Sequence, residues 1–588
     1  MSYGVPPPQD VLNSGVFVQP LAPINNSLVA SFFVGIIPLV LLLIFLGLLH
    51  LPAYIASVFS LFICLLISIF AWQMPAAQAF EAVGYGMVYA NWPIMWIVVN
   101  SMYVYNITVH SGLFLLFRQW MLTNTPSDKR VLLIIIGFCF GALLEGVAGF
   151  GVPGAICSSM LVNLGFDPID ALVYTLIFNT TPVAFGALGT PVITLASVTG
   201  LPVMAISAMM GRQLPFASLF LPAYALLFYA GPRAGLLECW PLCIISGILF
   251  AGAQAIFANL VGPELPDLIA GLISLLGVII FVQYWKPPFR PEYETPVNNV
   301  LSEHPHSSTT LVNESSINNG ENNDIENTKT PDKIIEKPTI KEAMLAWSPW
   351  VIIVVIVIIW TFFKMSSRGQ VHIEWPYLHQ KVWLTLYGKK YDAVWNFQPL
   401  STGTAILVSC SIFSVTIVLL QRVSYRIFYL AAKDTLFQLY KPVITVSFII
   451  AFAYLYNYSG IVFTIGLTLS SVGRAFPFLS AWLGWIACFL SGSDTSANSL
   501  FGNLQVVAAR EIGLSTILMA ATNSSGAITS KMVSPQNLIT GVSTIGLQGK
   551  EGFILRKTIL HSIFMCCIMG AMSCIQQYLL PGMIPPGG

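Results

Sequence analysis

The chain has 588 residues, of which 56% are hydrophobic and only 9% are charged, with a formal net charge of +1. Soluble domains carry about 25% charged residues, so most of this surface cannot face water, and the absence of any basic tract argues against a nucleic-acid partner. The ten cysteines lie within or at the ends of apolar stretches, with neither metal-ligand spacing nor a disulfide framework, so no metal and no cofactor is called for.

In chain order, residues 1–26 form a polar, proline-rich tail. The apolar run 27–49 is too long for a signal-peptide core and has the length of a first spanning helix, about 20 residues. Stretches of spanning length recur near 51–71, 92–117, 131–164, 169–208, 213–230, 237–260 and 265–284, giving a first membrane half over 27–285. Residues 286–343, rich in Asn, Ser, Glu and Pro, are expected to be a disordered polar loop. A second membrane half over 344–588 carries apolar stretches at 346–363, 398–421, 442–472, 479–546 and 557–580. Together these predict an all-α integral membrane protein of about 12–14 spanning or half-spanning helices. The segment 364–397 differs: Trp375, Tyr377, Trp383, Tyr387, Tyr391 and Trp395 stand among lysines, a composition suited to the membrane–water interface.

A distant internal repeat links the halves. Tyr-Val-Tyr-Asn ends at Asn106 and Tyr-Leu-Tyr-Asn at Asn457; Gly-rich breaks follow at Gly146 and Gly492, then Asn179-Thr180-Thr181 and Asn523-Ser524-Ser525, then Pro191 and Pro535. The offsets are 351, 346, 344 and 344 residues, so four markers keep order and nearly keep spacing. The basic loop 118–130 follows the first Tyr-x-Tyr-Asn helix, whereas the basic loop 421–441 precedes the second. If both are cytoplasmic by the positive-inside rule, the repeats are inverted, as in many secondary transporters. The aromatic segment is also net positive, yet a single expected helix separates it from 421–441, so both cannot lie inside.

The breaks carry the candidate chemistry. GALLEGVAGFGVPGA (141–155) and FLSGSDTSANSLFG (489–502) each set an acid, Glu145 or Asp494, between apolar stretches. An acid at the centre of a spanning helix costs about 2.5–3.5 kcal/mol and is read by default as part of a substrate, ion or proton path. A re-entrant hairpin over 131–164 with 145–151 at its tip, a second over 479–510, and broken helices over 169–208 and 514–546 would meet near the midplane. Free N–H groups there favour a small carboxylate. Glu145 and Asp494 are the candidate proton-coupling acids. Gly146, Gly149, Gly151, Asn179, Thr180, Thr181, Ser493, Thr495, Asn523, Ser524 and Ser525 are the candidate substrate-binding positions, and Arg212 and Lys531 the candidate charge partners.

Plainer readings stand beside these. The glycines suit close helix packing, the hydroxyls can bond their own helix backbone, and Asp494 can cap the following half-helix. Arg212 suits an interfacial anchor, Glu264 and Asp267 a loop and helix start, and His110 packing. Lys531 suits a counter-charge to substrate or to Asp494, or a side chain reaching for water.

At these residues the chain resembles the lactate permease family, on GFCFGALLEGVAGFGVPGAI (137–156), NTTPVAFGALGTP (179–191), GRQLPF (211–216), GPELPD (262–267), NYSG (457–460), GSDTSAN (492–498) and SPQN (534–537). The resemblance implies a multi-pass plasma-membrane symporter of protons with L-lactate and related 2-hydroxy monocarboxylates such as glycolate. By analogy with the wider group of ion transporters it also implies an elevator-type motion and a homodimer. Lys531, the 286–343 loop and the proline-rich start depart from the family pattern. A sodium-coupled carboxylate carrier is the near rival and an anion channel a more distant one. An intramembrane enzyme lacks support, with no His-x-x-x-His and no paired Asp motif.

Overall fold

The computed structural model describes residues 6–12, 15–47, 49, 51–149, 152–295, 338–547 and 549–586. Most of the expected polar loop, 296–337, therefore lies outside the described residues, as does Gly151. Among the described residues, 12 helices are long and apolar enough to cross a membrane, or up to 13 if the bent pair Pro168–Phe178 and Val183–Thr199 is one span. The expected all-α membrane class holds.

Several boundaries move for identifiable reasons. The helix expected near 92–117 begins earlier, as Ala76–His110. Its first turns carry Gln78 and Glu81, which lower the local hydropathy, and Glu81 accepts a hydrogen bond from Trp375 Nε1 at 2.9 Å. The tail and the aromatic segment also have structure. Strand Phe17–Val18 pairs in parallel with Val382–Leu384, which pairs antiparallel with Lys389–Lys390; Val371–Glu374 pairs antiparallel with Val394–Phe397. β-branched and aromatic residues favour such strands, so this segment folds into a small β cap. Gln19 fastens the cap by donating to Asn457 O at 2.8 Å and Tyr458 O at 2.9 Å, and Tyr85 donates its hydroxyl to Val394 O at 3.0 Å.

The two Tyr-x-Tyr-Asn helices run antiparallel. Near one end of Trp96–His110, Trp96 Nε1 donates to Thr404 just beyond the cap, at 3.1 Å. Towards the other end, Asn106 donates to Thr435 at 2.9 Å and His110 meets Asp434 at 2.7 Å, both near the start of Arg426–Ser459. That second helix ends at the cap, where Tyr458 donates to Asp392 O at 3.0 Å. The expected loop 421–441 is mostly helix, the first turns of Arg426–Ser459, and 118–123 is the end of the helix Leu113–Thr123. These two basic segments thus share one end of the bundle and the cap holds the other, which resolves the conflict between the three basic segments.

A charged knot ties the cap-free end together. Arg130 donates to Asp128 at 2.7 Å and to Glu238 at 3.0 Å, and Arg290 donates to Glu238 at 2.7 Å. A bridge between Asp128 and Glu294 anchors the segment after Pro266–Tyr284 to this knot. The two guanidinium groups, Arg290 first, pull the Glu238 carboxyl down to about 2.

Candidate functional site

Four interrupted segments build the site. In the first half, Lys129–Val147 stops at a break and Val152–Asn163 turns back to pack against it. Gly149 in the break has φ +56°, and a Cβ there would lie 3.0 Å from that of Ala187. The next segment is bent by 64° between Pro168–Phe178 and Val183–Thr199. Just beyond that break, at a kink early in Gly186–Thr199, Ala187, Leu188 and Gly189 have φ of 44°, 54° and 77°, a left-handed turn that costs an alanine or leucine about 1–2 kcal/mol each. Thr190 steadies this turn by donating to Ala187 O at 2.7 Å.

The second half repeats the plan with polar residues. Phe476–Ser491 ends at Gly492, whose φ is +69°, and Asp494–Glu511 starts two residues later. The cap of that helix is Ser493, whose side chain accepts from Ser496 N at 3.4 Å. Asp494 is therefore not the capping residue; it lies in the first turn, where the helix dipole favours a carboxylate. Ser524 donates to Asp494 Oδ2 at 2.6 Å, while Oδ1 is buried with no hydrogen-bond partner. Thr516–Ser530, a short turn Lys531–Val533 and Pro535–Thr544 complete the set.

Contacts between halves fasten these breaks together. Lys531 Nζ donates to Glu145 Oε1 at 2.8 Å, with side-chain exposures of 7% and 3%. Asn498 Nδ2 reaches Pro191 O at 3.2 Å and Ser524 at 3.3 Å. Gly186 leaves room for the acid, since a Cβ there would lie 2.9 Å from Glu145 Oε1. Between the segments lies a cavity of about 470 Å³ whose lining includes Glu145, Gly149, Ser493, Asp494, Thr495 and Lys531. That volume falls among small-molecule sites, about 300–1,000 Å³.

Other predicted residues are placed elsewhere. Asn179 lines a separate small pocket that also touches Lys531. Thr180 donates to the backbone of Ile177 at 2.7 Å, and the Thr181 carbonyl accepts from Gln254 at 3.2 Å. Asn523 is held by Gln505 and by Asn498, at 2.5 and 2.9 Å, and Ser525 donates to Gln213 at 2.8 Å. These two support the wall behind the cavity. Gly146 packs on another helix, where a Cβ would lie 2.9 Å from Leu268 N. Arg212 binds Asn259 at 2.9 Å and Met583 O at 2.6 Å, away from the cavity, so the structure does not bring it to the site.

Sequence reasoning missed Asn498 and Gln505, although their spacing from Asp494, four and eleven residues, sets all three on one helical face. It also left Asp267 as a helix start. That side chain is fully buried, accepts from Gln254 at 2.9 Å and has an unpartnered Oδ2. It closes the GPELPD motif, but its burial was not legible there, because its partner Gln254 lies on a separate helix.

Comparisons with known proteins give the family. A family described as L-lactate permease matches residues 31–580. The chain is 37% identical to glycolate permease GlcA of Escherichia coli over 94% of this chain and 97% of that protein. It is 35% identical to the L-lactate permease of Bacillus subtilis over 97% of this chain and 100% of that protein. Among solved structures it is similar to Neisseria gonorrhoeae MtrF, with a TM-score of 0.46 and 14% identity, over 89% of this chain and 86% of that chain. With a match across nearly its whole membrane region, the chain belongs to the L-lactate permease family, a family of transporters and not of enzymes.

Proposed function

We infer that this multi-pass protein of the cell membrane carries L-lactate, glycolate and related 2-hydroxy monocarboxylates, each with a proton. The observation that carries the reading is the buried Lys531–Glu145 pair on the wall of a cavity built from both halves. Lys531 is the cation best placed to receive a carboxylate, but it is already neutralised by Glu145. A proton taken up by Glu145 releases Lys531, and the substrate carboxylate then takes the vacated place. Proton and anion thus enter as a neutral set, which spares the site an unpaired buried charge, a cost of several kcal/mol. Asp494, with one free oxygen in the same cavity, is the second candidate seat for the proton, and Ser493 and Thr495 offer hydroxyls to the substrate.

The basic segments 118–130 and 421–441 support a cytoplasmic position for the cap-free end. The four interrupted segments would then travel as one body against the remaining helices, in an elevator-type motion, and two copies would pair through the stationary body. The test is uptake of labelled lactate and glycolate into proteoliposomes, with proton and sodium gradients imposed separately. Uptake driven by external acid supports the reading. Stimulation by sodium alone overturns the proton step and makes the orphan Asp494 oxygen a cation ligand instead. Glu145→Gln, a mimic of the protonated acid, is expected to keep exchange of lactate across the membrane while abolishing accumulation against a gradient. If Glu145→Gln still accumulates substrate and Asp494→Asn does not, the proton seat is Asp494.

A further inference from the structure

The cavity has a charged mouth as well as a charged floor. Its buried end holds Glu145, Asp494 and Lys531, two acids against one base. Its exposed end is rimmed by Pro52 and Tyr54 from one body and by Gln536 and Ile539 from the other, with Lys441 between them. Lys441 is solvent-exposed, and among the described residues no carboxylate lies within 4.0 Å of its ammonium. What holds it are aromatic faces: its Nζ lies 6.0 Å from the centroid of the Tyr54 ring and 5.6 Å from that of Tyr440. Ring faces attract an ammonium without neutralising it, so the charge stays available. Asp434, seven residues earlier on the same helix, is already engaged by His110.

We propose that Lys441 and Tyr54 form an outer binding site where the carboxylate of an incoming or departing monocarboxylate rests before it exchanges with the floor. The proposal builds on the transport reading above and adds a second position to it. The floor, its one cation already held by Glu145 and a second carboxyl, Asp494, beside it, offers an anion no free positive charge until a proton arrives. The mouth carries a free positive charge and faces no such barrier. A cleft of one sign raises the local concentration of its counter-ion by about 10- to 10³-fold at low ionic strength. The cavity of about 470 Å³ is far larger than lactate, leaving room for the anion at the rim while the floor stays closed by its ion pair. Because Lys441 lies on the same helix as Asn457, in the body taken as stationary, it borders the cavity only when the cavity opens to the cap-free end.

The test measures transport kinetics of wild type, Lys441→Arg, Lys441→Gln and Lys441→Glu from each face separately, in inside-out and right-side-out vesicles. Lys441→Glu is expected to raise the KM about tenfold from the face that Lys441 borders, at unchanged kcat. It should leave the opposite-face KM unchanged while the kcat from that opposite face falls by the same factor, because exit past the mouth slows as entry does. Lys441→Arg is expected to behave as wild type. The wild-type KM on that face should rise with ionic strength, and that of Lys441→Gln should not. An unchanged KM for Lys441→Glu on both faces overturns the outer site, and so does an equal rise on both, which would mean that the floor was disturbed. Wild-type vesicles that move neither lactate nor glycolate overturn the transport reading and the outer site together, whereas a failure confined to the variants leaves the former intact. Loss of folded protein in Lys441→Glu shifts the decision to Lys441→Gln and its salt dependence.

Discussion

Lys531 and Glu145 lie 386 residues apart in the chain and 2.8 Å apart in space. Removing one partner of a buried ion pair leaves the other uncompensated, at a cost of about 3–5 kcal/mol, whereas replacing both by apolar groups is often nearly neutral. Lys531→Met should therefore lower the melting temperature of the detergent-purified protein markedly. The double variant Lys531→Met/Glu145→Met should recover most of that loss, while transport stays absent in both. Equal melting temperatures for the single variant and wild type would remove the ion pair as a structural element. Both residues were legible in the sequence as charges in a break, but their partnership was not. A charge is visible at its own position, and the position that neutralises it is fixed only when the two repeats interlock. The same holds for Asn523 and Ser525, which sit in the right cluster but face Gln505 and Gln213 rather than the cavity.

The interrupted elements depend on close backbone approach. A Cβ on Gly526 would fall inside contact distance of the Ala481 carbonyl oxygen, and one on Gly484 would do the same to Asn523 O. The returning hairpin and the broken helix behind it thus meet through glycine on both sides. Gly526→Ala is expected to destabilise by about 1–3 kcal/mol or more through overpacking, read as a fall in melting temperature and in folded yield. Gly252→Ala, with nothing within 4 Å of the added methyl, serves as the control and should be neutral. The knot at Glu238 gives a pH signature at this scale. Its folded value of about 2 lies below the ordinary 4.5, so its stabilisation is present above 4.5 and lost as pH falls from 4.5 toward 2. The melting-temperature difference between wild type and Glu238→Gln should therefore shrink over that window. Hydropathy and Gly/Pro punctuation made most helices and breaks readable. The β cap was hidden because its strands are only two to four residues long and one of them, Phe17–Val18, pairs across hundreds of positions.

For the whole molecule, the elevator-type reading predicts which joints must slide. Asn503 donates to Asn457 at 2.7 Å, from a returning half-helix to a helix of the other body, whereas Asn106 and Thr435 join two helices within one body. Paired cysteines at 457 and 503, once oxidised, should block transport until reduced, and paired cysteines at 106 and 435 should leave it intact. Transport surviving the first cross-link would rule out sliding at that joint. The inverted order of the repeats was readable from four markers and two basic loops, while the side occupied by the aromatic segment needed the fold. The pairing of Phe17 with Val382 also sets a schedule for synthesis. At roughly 5–20 residues per second, the amino-terminal strand waits on the order of a minute or less before its partner leaves the ribosome. Until then Gln19 has no completed sheet to hold it against Asn457, and the first helices must stand in the lipid with their outer face unsealed. A nascent chain halted before residue 382 would hence expose that face to proteases added from the outside, and one halted after Asn457 and Tyr458 have left the ribosome would not.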